Sequence, residues 1–299
     1  MHGWLILDKP QGMTSTQAVG KVKHLYQAAK AGHAGTLDPL ATGVLPIALG
    51  EGTKTVPFVV DGTKEYRFTV RFGAETDTDD AEGKVTVQSD KRPTRPEIEA
   101  ALLSFTGTTM QVPPRYSAVR VAGARAYALA REEQDFELAP REVHIARLNV
   151  VEMPDPDRCV IETECGKGTY VRSLARDLGR VLGSAAHVEA LRRTRVGDFD
   201  EGRAISLARL QELAQSAAGH EALLGVLEPL ETALHDLPTL VVSGTDAARL
   251  RQGQSVLLRG RDAPIVMGPV YAISRGTLVA LGEVSEGAFN PRRIFNLAR

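Results

Sequence analysis

Hydrophobic and polar positions alternate most cleanly over residues 65–73 (EYRFTVRFG). Tyr66, Phe68, Val70 and Phe72 fall on one side and Arg67, Thr69 and Arg71 on the other. A period of two predicts a strand with one face in a core. Residues 4–9 (WLILDK) read as another strand. Helical spacing then begins at Ser15, which is expected to cap a helix bearing Val19, Val22, Tyr26 and Ala29. A capping box at Thr94 and Glu97 opens a second helix that ends near Gly107. A third is expected after a Thr169 cap, with Val171, Leu174, Leu178 and Leu182 inward and Gly183 as its stop. Residues 143–152 and 158–165 predict a strand pair.

Two stretches interrupt these patterns. Residues 31–50 contain four glycines and two prolines, which predicts mostly loop with a short helical turn. The acidic run 75–83 (ETDTDDAEG) reads as a solvated turn leading into a strand, KVTVQ. As a calcium loop it fails on spacing: counted from Asp77, the required glycine position holds Glu82 and the closing glutamate position holds Gln88. Residues 111–142, rich in arginine, alanine and proline, look like an excursion from the core. Strands and helices mix without a βαβ rhythm, so residues 1–234 are expected to form an α+β domain. Its sheet should be mixed, largely antiparallel and flanked by helices.

The character changes near His235. Residues 205–234 read as helical and acidic, whereas LVV, SVLL, PIVM, VYAI, TLVALGEV and RIF follow as short apolar runs punctuated by glycine. This predicts a small all-β barrel or sandwich over 235–299. Eight arginines face five acids in that tail, a net charge of +3, which suggests contact with phosphate.

The whole chain, with 36 basic and 37 acidic residues, has a net charge of −1. A globally basic nucleic-acid protein is excluded, but a locally basic face is not. At 299 residues, 43% hydrophobic and 24% charged, the composition is that of a globular protein of about two domains. Two cysteines spaced C-x5-C match no common zinc pattern and make no disulfide framework. The opening MHGWLILDKP is too short in apolar residues for a secretory segment, and no run suits a membrane span. A cytoplasmic location is the expectation. GxxxxGK[ST], HExxH, CxxC and GxGxxG are all missing, so nucleotide hydrolysis, zinc chemistry and dinucleotide binding lack support.

The candidate chemistry centres on Asp38. An Asp followed by Pro is ordinarily a cap or turn. Here the loop also carries Gly35, Pro39 and Gly43, which would rigidify a carboxylate nucleophile that needs no general base. Arg172, in the first turn of the predicted 170–182 helix, is either a solvated cation or the partner that fixes such a carboxylate. Tyr66 is core or, in a chain with only 15 aromatics, one of few residues able to stack on a base. His33, between Gly32 and Ala34, is placed on a loop that could enter a nucleic-acid stack.

Taken together these segments resemble the TruB family, the bacterial tRNA pseudouridine-55 synthases. The resemblance runs through LDKPQGMTS (7–15), GHAGTLDPLATGVLPIALGEGTK (32–54), KEYRFTVRFGAETDTDDAEG (64–83), QVPPRYSAVRVAGARAYALAR (111–131), GKGTYVRSLARDLG (166–179) and AHVEALRRTRVGDF (186–199). The tail resembles a PUA domain more loosely. Gly52, Arg120 and Ala124 depart from the family's usual residues.

The resemblance implies a pseudouridine-synthase fold with a PUA-like RNA-binding domain. It implies an enzyme that isomerises uridine 55 of the tRNA T loop by base flipping, without a guide RNA, and that assists tRNA folding. Asp38 would attack the flipped uridine, Arg172 would pair with Asp38, and Tyr66 would stack on the uracil and take the C5 proton late. His33 would fill the gap left in the T-loop stack. Tyr170 and Leu191 would line the pocket, and Lys9 would buttress it. The 111–142 insert would fold over the T arm and the tail would reach the acceptor stem. Arg192, Arg193 and Arg195 are expected to make binding salt-sensitive. No cofactor, no metal and no obligate protein partner is implied, and the expected state is a monomer. Two other readings stand beside this one: a guide-dependent synthase of the dyskerin type, and a non-catalytic RNA-binding or tRNA-folding protein.

Overall fold

The computed structural model describes residues 1–121, 123–258 and 267–297. Its centre is a mixed sheet with spatial order Ile205–Ser206, Gly3–Lys9, Thr42–Leu49, Ala186–Val196, Lys64–Phe72, Arg158–Cys165, Arg141–Asp155 and Gly107–Gln111. Most neighbours are antiparallel. Gly3–Lys9 with Ile205–Ser206, and Thr42–Leu49 with Ala186–Val196, are parallel. The expected α+β class and largely antiparallel sheet are therefore present, as are the 143–152/158–165 strand pair and the Thr94 capping box.

The 31–50 stretch departs from its expectation. Thr42–Leu49 is a central strand and Ala31–His33 a short one paired beside it. The physical reason is burial on both faces. Leu5, Leu7, Leu45, Ile47 and Leu49 pack into one core with the helices Ser15–Leu25 and Val171–Val181. Trp4, Ile6, Val44 and Ala48 pack into a second core on the opposite face. A strand covered on both sides has no polar face, so it shows no alternation to read. Pro46 sits inside it opposite Ile6, and its carbonyl accepts from Ala34 N at 2.9 Å.

Helix starts also differ from the sequence reading in detail. Thr14 rather than Ser15 caps the first helix. Tyr170 occupies the cap position of the Val171–Val181 helix and supplies no side-chain cap, while Thr169 bonds back to Gly166 O at 3.2 Å. The side chain of Gln111 does the capping work: its Oε1 accepts from Tyr170 N at 2.8 Å and its Nε2 donates to Tyr170 O at 3.1 Å.

A second sheet follows, ordered Thr239–Val241, Gly268–Ser274, Thr277–Ser285, Ala288–Ile294 and Val256–Leu257. The tail is not all-β as expected: the helix Gly244–Arg251, opened by a Ser243 cap, covers one face of the sheet through Ala247 and Leu250. Leu278, Leu281 and Phe295 join the core that holds Trp4, Ile6 and Phe199, so this sheet is seated on the body. Most of the PIVM run expected here lies outside the described residues.

Candidate active site

Asp38 sits on the loop between Ala31–His33 and Thr42–Leu49, and its side chain is 37% exposed. Every carbonyl from Gly35 to Pro39 has a donor. Arg193 Nη2 and Nη1 reach Gly35 O and Thr36 O at 3.1 and 3.4 Å. The Ser15 hydroxyl reaches Leu37 O at 3.0 Å. Ala41 N reaches Asp38 O at 3.1 Å, and Gly12 N reaches Pro39 O at 2.8 Å. A loop whose backbone is so fully satisfied is set before any ligand arrives.

Lys9 and Arg193 are the buried cations of this frame. Lys9 is 0% exposed and donates to Pro10 O, Met13 O and Pro39 O at 2.9, 2.7 and 3.4 Å. Burial pushes its ammonium down to about 8, against the opposing pull of Asp38 and Glu82. Its three bonds join the 9–13 turn to the loop at Pro39. Arg193 was expected to meet RNA, but only 1% of it is exposed. Its guanidinium is spent on Gly35 O, Thr36 O and Val44 O, and lies against the Tyr66 phenol. Arg193 can hold the loop but cannot reach a phosphate. Gly43 makes this approach possible: its φ is +97°, and a Cβ there would lie 2.2 Å from Arg193 O.

Arg172 meets Asp38 as expected. Its Nε lies 2.9 Å from Asp38 Oδ2, and the arginine side chain is only 5% exposed. The same guanidinium donates to Thr78 O at 2.8 Å and Tyr116 O at 3.0 Å, and lies 3.7 Å from Asp80 Oδ2. Three segments thus converge on one side chain: the Asp38 loop, the acidic hairpin and the root of the 111–142 insert.

The acidic run is therefore no solvated turn. Asp79 and Asp80 are 6% and 4% exposed. Arg172, Arg176 and Arg180 recur every fourth residue, on one side of their helix. They meet Asp80, Asp79 (2.9 Å) and Glu75 (2.7 Å) in turn. The sequence reading missed this because each carboxylate's partner lies about a hundred positions away; the four-residue spacing of the arginines was the available signal.

Tyr66 projects from the Lys64–Phe72 strand with Thr163 and Arg193 as cross-strand neighbours. Burial pushes its phenol up, and Asp38 lies near enough to add to that rise. Tyr170 is half-buried; burial raises its phenol too, with Arg172 and Asp38 among the charges it feels. Leu191 is 8% exposed and shares a core with Leu37, Leu40 and Val171. His33 ends its short strand with Nδ1 buried and unpaired; burial and the Arg193 charge hold the ring's pKa down. Asp38, Arg172, Tyr66, Tyr170, Lys9 and Arg193 thus belong to one connected centre. Arg192 lies outside it, paired with Asp8 at 2.9 Å and with Glu201, and Arg195 pairs with Glu65 at 3.5 Å.

The mixed sheet thus presents an aspartate paired to a helix arginine beside a tyrosine, and comparison with known proteins places the chain among the pseudouridine synthases. Similarity to solved structures agrees. A Cbf5-Nop10-Gar1 complex aligns with TM-score 0.75 and 26% identity, covering 98% of this chain and 84% of that one. An H/ACA RNP bound to a substrate RNA containing 2′-deoxyuridine gives 0.75 and 25%, covering 99% and 85%. The TruB family pseudouridylate synthase N-terminal domain matches residues 23–171, and the tRNA pseudouridylate synthase B C-terminal domain matches 172–235. The tRNA pseudouridine synthase B of Bradyrhizobium diazoefficiens is 60% identical over 99% of this chain and 86% of its own length. That of Nitrobacter winogradskyi is 58% identical over 100% and 84%. The chain belongs to the TruB family of pseudouridylate synthases. No helix among the described residues is long and apolar enough to cross a membrane.

Proposed function

We propose that this protein isomerises uridine 55 in the T loop of tRNA to pseudouridine, acting alone and without a guide RNA. The observation that carries the reading is the Asp38–Arg172 pair at 2.9 Å, found in a chain 60% identical to a tRNA pseudouridine synthase B. The reaction breaks the N1–C1′ bond, turns the base and forms a C5–C1′ bond; the C5 proton leaves and N1 gains one. Atoms and electrons balance within the substrate, so the chemistry calls for no redox or hydrolytic cofactor. The Asp38 oxygen bonds to the nucleoside, at C6 of the base or C1′ of the sugar, and is released when the new glycosidic bond is made.

The remaining residues make that attack possible. The target lies in a folded loop, so its base must be flipped out at a cost of roughly a few kcal/mol. Tyr66 stacks on the extruded uracil. Its phenol is held neutral by burial, so it moves the C5 proton as a relay, passing its own hydroxyl proton to water as it accepts. Tyr170 and Leu191 line the pocket. His33 fills the vacated place in the stack, and a ring kept neutral enters at lower desolvation cost than an imidazolium. The 111–142 insert closes over the T arm, and residues 235–299, as a PUA-like RNA-binding unit beside the 1–234 catalytic unit, extend toward the acceptor stem. Opening the tRNA elbow to reach the base also assists its folding.

The test is to incubate purified protein with an unmodified tRNA transcript and map the product. Pseudouridine at position 55 alone, from free tRNA, is expected. No product, product at another position, or a requirement for a second RNA, as a guide-dependent synthase would show, contradicts the reading.

A further inference from the structure

Ser15 stands at the first position of its helix, where a serine is ordinarily read as the cap. That work is already done by Thr14: its hydroxyl accepts from Gln17 N at 3.1 Å, and the Gln17 side chain accepts from Thr14 N at 2.9 Å. Ser15 is left free of the helix end. Its side chain is buried and reaches across the chain to Leu37, donating to Leu37 O at 3.0 Å and accepting from Leu37 N at 2.8 Å.

One hydroxyl thus satisfies both backbone polar groups of the residue immediately before Asp38. Fixing the N–H and the C=O of Leu37 fixes the peptide planes on both sides of it. The second of those planes contains Asp38 N, so it sets the direction in which the Asp38 side chain leaves the backbone. Gly12 N and Lys9 Nζ hold Pro39 O on the far side. Between these two anchors the Asp38 side chain keeps only its own rotations, and Arg172 closes those.

We propose that Ser15 is a positioning residue for the nucleophile. It touches neither substrate nor reacting atoms; it acts through Leu37 to aim the Asp38 carboxylate. The inference rests on the reading of Asp38 as nucleophile. Leu37 is 3% exposed, so without the hydroxyl its N–H and C=O are left buried and unpaired. They turn toward other partners and carry Asp38 with them. A displacement of about 1 Å at a reacting group costs on the order of 10²-fold in rate.

The experiment is single-turnover pseudouridine formation at saturating transcript by wild type, Asp38→Ala, Ser15→Ala, Ser15→Cys and Thr14→Ala, with RNA affinity and Leu37 amide hydrogen exchange measured alongside. Ser15→Ala is expected to be slower by on the order of 10²-fold, with RNA affinity unchanged and the Leu37 amide exchanging faster. Thr14→Ala weakens the same helix end without touching Leu37, so it melts earlier yet keeps the wild-type rate. Ser15→Cys, near in volume but a weak hydrogen-bonding group, folds and is slowed by less; it carries the test if the alanine variant does not fold. Wild-type rates in both Ser15 variants, or equal slowing by Thr14→Ala, overturn the proposal. A fully active Asp38→Ala removes the nucleophile reading itself, whereas an inactive Asp38→Ala beside fast Ser15 variants removes this inference alone.

Discussion

The Asp38 loop and the acidic hairpin meet at one guanidinium but are held by different forces. The loop is fixed through its backbone: Arg193, Ser15, Gly12 and Lys9 donate to its carbonyls, and none of those bonds is to a carboxylate. The hairpin has backbone bonds to Val188 as well, but adds side-chain ion pairs, with Asp80, Asp79 and Glu75 set against Arg172, Arg176 and Arg180. The difference suits what each must do. On the proposed reading of Asp38 as nucleophile, the loop has to leave its one carboxylate for chemistry, and it is anchored at peptide groups. The hairpin uses three of its five carboxylates to hold the arginine helix in place. Arg172 joins the two, which makes the hairpin part of the site.

The largest expected effect comes from cutting the loop's deepest anchor. Arg193→Met leaves the carbonyls of Gly35, Thr36 and Val44 without these donors. A loss of about 3 kcal/mol in urea unfolding is expected, together with loss of pseudouridine formation. A stable, active variant would show that the loop holds itself.

Next comes the joint between the regions. Asp80→Asn keeps the shape but removes a buried charge 3.7 Å from Arg172. About 1–3 kcal/mol of stability and at least tenfold in rate are expected to go. An unchanged rate would separate the hairpin from the site.

Lys9 sharpens the contrast through pH. Its folded value of about 8 lies below the 10.5 of the ordinary side chain because burial disfavours the charge. Between those values the unfolded chain binds the proton and the folded one does not, so this group's contribution favours folding increasingly as pH rises. The stability of wild type relative to Lys9→Gln should therefore climb above about pH 8, by up to ~1.4 kcal/mol per pH unit, and stay level below it. A flat difference from pH 7 to 10 would mean the ammonium is not desolvated.

The smallest effect is at the hairpin's outer pair. The Arg180 side chain is 57% exposed although Glu75 is 8% exposed, and glutamine can still accept from the guanidinium, so Glu75→Gln should cost about 1 kcal/mol, and less in high salt. A larger, salt-independent loss would mean that even this end of the ladder acts as a buried pair.

Legibility in the sequence followed the range of the interactions. The alternating strand at 64–72 and the Thr94 capping box were readable because their signals lie within a few residues. The Thr42–Leu49 strand was not, since burial on both faces erases alternation. The Asp38–Arg172 pair was expected from the family's motifs, not from spacing. Asp79 and Asp80 looked solvated because their arginines are distant in sequence, and Arg193 looked RNA-facing because a basic run gives no hint that one member turns inward. Ser15 reads locally as the cap that Thr14 supplies, and its bond to Leu37 leaves no local mark.

The central claim is that the carboxylate of Asp38, steadied by Arg172, is the group that attacks the flipped uridine. The most direct measurement is single-turnover pseudouridine formation on a tRNA transcript by Asp38→Asn, which keeps the side chain's shape, with RNA affinity determined on the same sample. Full RNA binding with no detectable pseudouridine is the predicted result; pseudouridine formed at the wild-type rate would contradict it.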